Sequence, residues 1–134
     1  MATIRRTPDL DRNPAIRIVL LPRDTNREGT IFGGVILSHI DLAGAVQAGM
    51  ITDQRYLTKA LKEVVFKQPV RVGEVVSFYT TVERIGNTSI TIHVDVEVMR
   101  GQTEIHVTEA DVTFVCIDDN GRPTPLVPRS RSGK

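Results

Sequence analysis

The stretch Asp24-Thr25-Asn26-Arg27-Glu28-Gly29-Thr30-Ile31-Phe32-Gly33-Gly34 runs into a segment carrying Asp41, and together they hold residue types that acyl-transfer chemistry uses. If a helix begins at the paired glycines, its first N–H groups lack intrahelical acceptors and sit at the positive end of the helix dipole. Such donors stabilise an oxyanion, and the absent side chains of Gly33 and Gly34 let a substrate carbonyl approach. The same pair equally makes a tight turn before a helix. Asp41 lies about two turns further on, with the small residues Gly44, Ala45 and Ala48 at helical spacing, so another backbone or a ligand can come close. A carboxylate there acts as general base toward water, or as a nucleophile forming a mixed anhydride; the plain alternative is a solvated helix Asp.

Asn26 either orients a water or a carbonyl or simply closes a turn through its own side chain. His39 stands two residues before Asp41 and points elsewhere on a helix, which disfavours a His-Asp relay within the chain. His39, His93 and His106 read as structural or surface residues. Neither a metal constellation nor a Ser or Cys nucleophile motif stands out, and Cys116, mid-strand, reads as an inert buried thiol. No metal and no separate cofactor are expected.

These residues need a helix after Gly33 and a scaffold to hold it. From Gly34 to Gly49 there is no proline, and Ile36, Ile40, Ala43 and Val46 or Gln47 recur at three- and four-residue intervals as a mostly apolar stripe, which predicts the one long helix. Before it, Ala15 to Leu21 is a short apolar run ended by Pro22, suited to a first strand. After Thr58 the period drops to two, most clearly where Ile90, Ile92, Val94, Val96 and Val98 alternate with Thr91, His93, Asp95 and Glu97. Segments around Lys59 to Val70, Glu74 to Ile85 and Thr103 to Ile117 share this character. Short connections at Gly73, Gly86-Asn87 and Arg100-Gly101-Gln102 predict antiparallel pairing. One strand, one helix and four strands make an α+β domain of the hot-dog arrangement: one long central helix wrapped by a curved five-stranded antiparallel sheet. The open edges of such a sheet would be covered naturally by pairing in a dimer.

Length and composition agree with a single domain, placed at 13–121 between an N-terminal tail, 1–12, and a basic C-terminal tail, 122–134, both expected to be mobile. Lys and Arg total 17 against 16 Asp and Glu, a formal charge of +1, so no global basic field points to nucleic acid or an anionic membrane. No apolar run long enough to span a bilayer is expected. The lone cysteine forms no internal disulfide and no apolar leader follows Met1, which together predict a reducing, cytoplasmic setting. With no Trp, two Tyr and four Phe, the composition argues against an aromatic platform for single-stranded nucleic acid.

The order and spacing of several short words resemble the YciA-like and brain-type acyl-CoA thioester hydrolase family over about Ala15 to Pro125. They are Asp24-Thr25-Asn26, Ile31-Phe32-Gly33-Gly34, Asp41-Leu42-Ala43-Gly44, Phe66 with Pro69-Val70 and Gly73, Gly86-Asn87-Thr88-Ser89, Val107-Thr108-Glu109-Ala110, and Asp118 through Pro123. The resemblance implies hydrolysis of acyl-CoA, with Asp41 as catalytic carboxylate and Asn26 as its companion across a dimer interface. It also implies that Gly33 or Gly34 polarises the thioester carbonyl and that assembly reaches a homodimer or a trimer of dimers. Phe32, Val65, Phe66 and Lys67, with the turn Gly86, Asn87, Thr88 and Ser89, are the expected substrate and CoA contacts; the turn equally reads as a plain hairpin. One departure stands out: relatives place Lys directly before the proline, whereas here Gln68 precedes Pro69 and the lysine is Lys67, on the other strand face. Two alternatives remain at this level, a non-catalytic acyl-CoA-binding or sensing module and a hydratase, although a hydratase leans on a His absent from the helix start.

Overall fold

The structure is a computed structural model that describes residues 3, 5, 6 and 11–130. Chain order is β1 (Arg5–Arg6), β2 (Ile16–Val19), α1 (Gly33–Ile51), β3 (Tyr56–Lys62), β4 (Val75–Ile85), β5 (Ser89–Arg100) and β6 (Thr103–Cys116). All strand pairings are antiparallel, in the order β1-β6-β5-β4-β2, with β3 also on β6. The five strands read from periodicity are present, and the two-residue β1 adds a sixth beside Ile105 and Glu104.

The curl of the sheet has local causes. Register shifts at Thr58/Ala60, Val82/Arg84 and Val96/Glu97 insert extra residues into one strand of each pair, which bends and twists the ladder. The bent sheet wraps α1. Ile36, Ile40, Ala43, Gly44 and Ala48 form the buried side of the helix, packed with Phe78, Ile92, Val94, Val96, Val112 and Phe114 from the strands. Gly44 sets the separation: a Cβ there would lie 3.1 Å from the Phe114 ring, so only glycine admits that contact without a shift. The small face beside Asp41 therefore receives the sheet, through Gly44 and Ala48, rather than a ligand. Tyr56 ties β3 to the same helix by donating its hydroxyl to the Ala45 carbonyl at 2.6 Å.

Two boundaries differ from the sequence reading. The third strand begins earlier, at Tyr56, and ends at Lys62, because Glu63 takes a left-handed φ of 54° that breaks the ladder. Residues 63 to 70 then run alongside β6 without joining it as a strand, held where Lys67 N–H donates to Val107 O and Thr108 Oγ1 donates to Val65 O. Helix α1 is also longer than expected and, at 19 residues with mean hydropathy 1.4, meets the length and composition of a bilayer span. Its inner side packs on the strands, so its apolar character comes from lining the core of the fold on one side. Its outer side still shows Leu42, Val46 and Met50.

The stretch beyond Arg122 makes a series of hydrogen bonds to the body: Thr124 N–H to Cys116 O, Leu126 N–H to Asn87 O and Arg129 N–H to Ile51 O. Gln54 and Thr52 clasp Pro125 and Val127 from the loop after α1.

Candidate active site

The loop before α1 is organised by Asn26. Its Oδ1 accepts from the N–H groups of Glu28 and Thr30 at 2.9 and 3.2 Å, and its Nδ2 donates to Thr30 Oγ1 at 2.9 Å. Gly29, at φ 84°, allows the reversal that brings Thr30 back to Asn26. The turn chemistry read from the sequence is thus present. It also leaves one Nδ2 hydrogen, since a primary amide carries two.

Phe32 N–H donates to Asp24 O, which fixes the entry to α1, but no side chain among the described residues caps the helix. Val35 N–H turns back to Phe32 O, whereas the N–H groups of Gly33 and Gly34 have no acceptor among the described residues. The two glycines differ in what surrounds them. A Cβ at Gly33 would make ordinary contact with the Phe66 ring at 3.7 Å; at Gly34 it would lie 2.6 Å from the Phe32 ring.

A cavity of about 310 Å³ opens at this helix start, lined by Asn26, Thr30, Ile31, Gly33, Ile36 and the run from Phe66 to Val70. It brings together Asn26, Gly33, Phe66 and Lys67 from the sequence-derived candidates. Phe32 and Val65 are exposed apolar residues beside these, Phe32 at 56%. Lys67 Nζ stands 3.6 Å from Glu109 Oε2, and Gln68 Nε2 donates to Thr3 Oγ1.

Asp41 does not line this cavity. It sits on the outer part of α1, where Thr58 of β3 donates a 2.7 Å hydrogen bond to its Oδ1. Eight residues separate it from Gly33, about 12 Å along a helix axis, so the carboxylate and the free N–H groups of one chain do not converge on one carbonyl. The Gly86-Asn87-Thr88-Ser89 turn is also remote from the cavity and closes a hairpin, with Gly86 N–H bonded to Ser89 O at 2.8 Å. It lies at the Asp41 end of the sheet: Ser89 stands opposite Val115 and Thr58 opposite Phe114 on β6.

The remaining candidates fall away from both places. His39 bonds to Val35 O through Nδ1 and stacks on Phe78, a structural role. Cys116 is buried, and burial pushes its thiol pKa up, away from thiolate chemistry. His93 and His106 meet a group of carboxylates on the other face of the sheet. Thr58 was not singled out in the sequence, since one Thr among polar strand residues carries no signal of its own.

A single central helix inside a curved antiparallel sheet, with a cleft at its uncapped start, defines a hot-dog domain. The chain belongs to the thioesterase superfamily, whose family model matches residues 28–105. It is similar to the acyl-CoA thioester hydrolase YciA of Salmonella typhimurium, 36% identical over 131 residues that cover 94% of this chain and 97% of that one. A hexameric hotdog fold thioesterase of Campylobacter jejuni superposes with TM-score 0.79 at 44% identity, covering 85% of this chain and 90% of the other. HI0827, a hexameric broad-specificity acyl-coenzyme A thioesterase, superposes with TM-score 0.81 at 36% identity, covering 92% and 86%.

Proposed function

We propose that the protein hydrolyses acyl-CoA to a free carboxylic acid and CoA at a site shared between two protomers. Asn26 and the Gly33 and Gly34 N–H groups come from one protomer, and the catalytic carboxylate is Asp41 of the partner subunit. The observation that carries this reading is the separation, within one chain, of an uncapped helix start lining a cavity from a carboxylate about 12 Å further along the helix. An antiparallel partner helix reverses the order of residues and brings its Asp41 level with Gly33. The same alignment sets Leu42 level with the partner's Phe32, and these are exposed apolar residues at 55% and 56%.

In this arrangement the thioester carbonyl points at the Gly33 and Gly34 N–H groups, and Asp41 takes a proton from the attacking water. The new C–O bond forms as charge collects on the carbonyl oxygen. Collapse of that intermediate breaks the C–S bond, and the departing thiolate receives the proton, giving acid and CoA. Asn26 contributes its spare Nδ2 hydrogen to the substrate or the water. Lys67, at the cavity, offers a cation to the CoA phosphates, and the Gly86–Ser89 turn approaches the CoA arm from the protomer that supplies Asp41. No cofactor enters, because CoA is part of substrate and product. The related hexamers support a homo-oligomer built on this dimer as a trimer of dimers. A single buried cysteine fits the reducing cytoplasm as its compartment.

The test is thiol release from short, medium and long acyl-CoA by wild type and Asp41→Asn side by side. Asp41→Asn is expected to fold and assemble normally and to lose at least about a hundredfold in rate. An Asp41→Asn protein as active as wild type ends the mechanism; tight acyl-CoA binding without turnover by either protein moves the assignment to a sensing module.

A further inference from the structure

On β5, Ile90, Ile92, Val94, Val96 and Val98 face α1, so His93 and Asp95 project from the opposite side of the sheet. Across the ladder His93 stands opposite Asp111, and Asp95 opposite Glu109. Two carboxylates placed directly opposite repel one another, and a sheet keeps such a pair at a cost unless positive charge lies between them.

We propose that this outer face of β5 and β6 is a binding site for a divalent cation of the Zn²⁺ class, with His93, Asp95 and Glu109 as ligands and His106 beside them. The donors of His93, Asp95 and Glu109 are close enough together to share one ion, and His106 Nε2 stands next to both carboxylates. His93 Nε2 lies 3.4 Å from Asp95 Oδ1 and 3.3 Å from Glu109 Oε1; His106 Nε2 lies 3.5 Å from Asp95 Oδ1 and 3.3 Å from Glu109 Oε2. Ligands bonded to tetrahedral Zn²⁺ at about 2.0–2.1 Å stand about 3.3–3.4 Å from each other, the edge of the tetrahedron. The donor atoms of His93, Asp95 and Glu109 all lie within 4.8 Å of one another.

Two further observations point to a ligand. His93 Nδ1 is 2.7 Å from Asp111 Oδ1, a carboxylate–imidazole bond that places the proton on Nδ1 and turns the Nε2 lone pair toward the site. His106 has a side chain only 3% exposed, and its Nε2 is aimed between the same two carboxylates. Among the described residues Lys67, 3.6 Å from Glu109, brings one positive charge to three carboxylates, so the group retains a negative excess when both imidazoles are neutral.

Glu83, His93 and Asp111 form a neighbouring trio, but the 2.7 Å contact from His93 Nδ1 to Asp111 is a hydrogen bond, too short for two ligands of one ion. An imidazole nitrogen among the ligands favours zinc-like ions over Mg²⁺ and Ca²⁺, which take oxygen donors. His93, Asp95 and Glu109 are each partly exposed, so the site is open to solvent. It lies on the sheet face away from α1, with Lys67 of the cavity lining beside Glu109, and bound metal would staple β5 to β6.

The experiment is calorimetric titration of chelator-stripped wild-type protein with Zn²⁺ in a non-coordinating buffer. One Zn²⁺ per chain is expected, with no heat from Mg²⁺ beyond dilution. His93→Gln and Asp95→Asn should each weaken binding at least tenfold, and Asp111→Asn about tenfold through the outer-shell bond. His39→Gln, a histidine on another element, should bind as wild type does. Circular dichroism establishes that each variant is folded, and Zn²⁺ should raise the melting temperature of wild type and of His39→Gln but not of His93→Gln. Substoichiometric binding by wild type, or undiminished affinity in folded His93→Gln, overturns the site. None of these readouts uses acyl-CoA, so they stand apart from the hydrolysis assay.

Discussion

Thr58 Oγ1 donates a 2.7 Å hydrogen bond to Asp41 Oδ1, tying the outer side of α1 to β3 at the point where the β3–β6 register shifts. The bond occupies one carboxylate oxygen and leaves Oδ2 without a hydrogen-bond partner among the described residues. In the proposed mechanism Thr58 is therefore a positioning residue for Asp41. Thr58→Val keeps the shape of the side chain and removes the donor; it should lower kcat about tenfold with KM little changed, because substrate contacts remain. Thr58→Ser should recover most of the rate. Equal activity in Thr58→Val and wild type would remove Thr58 from the mechanism.

The shared site makes a prediction that a single-chain site does not. Asn26→Ala and Asp41→Ala proteins, each inactive alone, should regain activity when mixed under conditions of subunit exchange. One of the two sites in a mixed dimer then carries both an intact Asn26 and an intact Asp41. Mass spectrometry of the mixture verifies the exchange, and absence of recovery despite it contradicts the arrangement.

The two helix-start glycines should respond differently to alanine. At Gly33 a methyl group meets the Phe66 ring at 3.7 Å, an ordinary contact, so folding and assembly of Gly33→Ala should be near wild type. At Gly34 it would lie 2.6 Å from the Phe32 ring, which must swing away or push the helix start aside. Gly34→Ala should therefore lose more activity than Gly33→Ala, and Gly34→Ala combined with Phe32→Ala should recover part of that loss in kcat/KM. If the double variant gains nothing over Gly34→Ala, the ring is not what the methyl group displaces.

Much of the scaffold was legible because it rests on periodicity. The alternation from Ile90 to Val98 and the three- and four-residue spacing of Ile36, Ile40 and Ala43 report which side of each element is buried, and the sheet and helix follow from that. The end of β3 was not legible: the run from Lys59 to Val70 keeps strand-like composition through Val64 and Val65, and the interruption comes from one residue, Glu63, in a left-handed conformation. Asn26 and Gly33 could be grouped from the one stretch that leads into the helix, whereas Phe66 joined them only through the family resemblance; all three line the cavity. Thr58 and the His93–His106 group could not, because their meaning depends on contacts set by strand register. His106 in particular joins His93 and Asp95 only because the β5–β6 register shifts at Val96/Glu97 and sets it opposite Glu97.

Glu74, just before β4, and Arg100, the last residue of β5, clamp one end of the β4–β5 pair, and their pairing gives the clearest expectation for acid stability. Arg100 donates from Nε and Nη2 to both carboxylate oxygens of Glu74, at 2.5 and 2.8 Å, and the Arg71 N–H donates to Glu74 Oε1 at 2.8 Å. Burial pushes the Glu74 pKa up, but the hydrogen bonds from Arg100 and Arg71 and their charges outweigh it, so the net direction is below the ordinary 4.5. A carboxylate with a depressed folded-state pKa favours the folded state above its unfolded value, and that contribution disappears as pH falls through the folded value. Glu74→Gln should accordingly cost about 1–3 kcal/mol near neutral pH, where it leaves a guanidinium without its bidentate partner. The difference between wild type and variant should shrink steadily from pH 5 toward pH 3, roughly the range over which such a group titrates. Urea unfolding at fixed protein concentration across that range measures it. A difference that stays constant down to pH 3 would mean that the Glu74 charge is not the stabilising element of the pair.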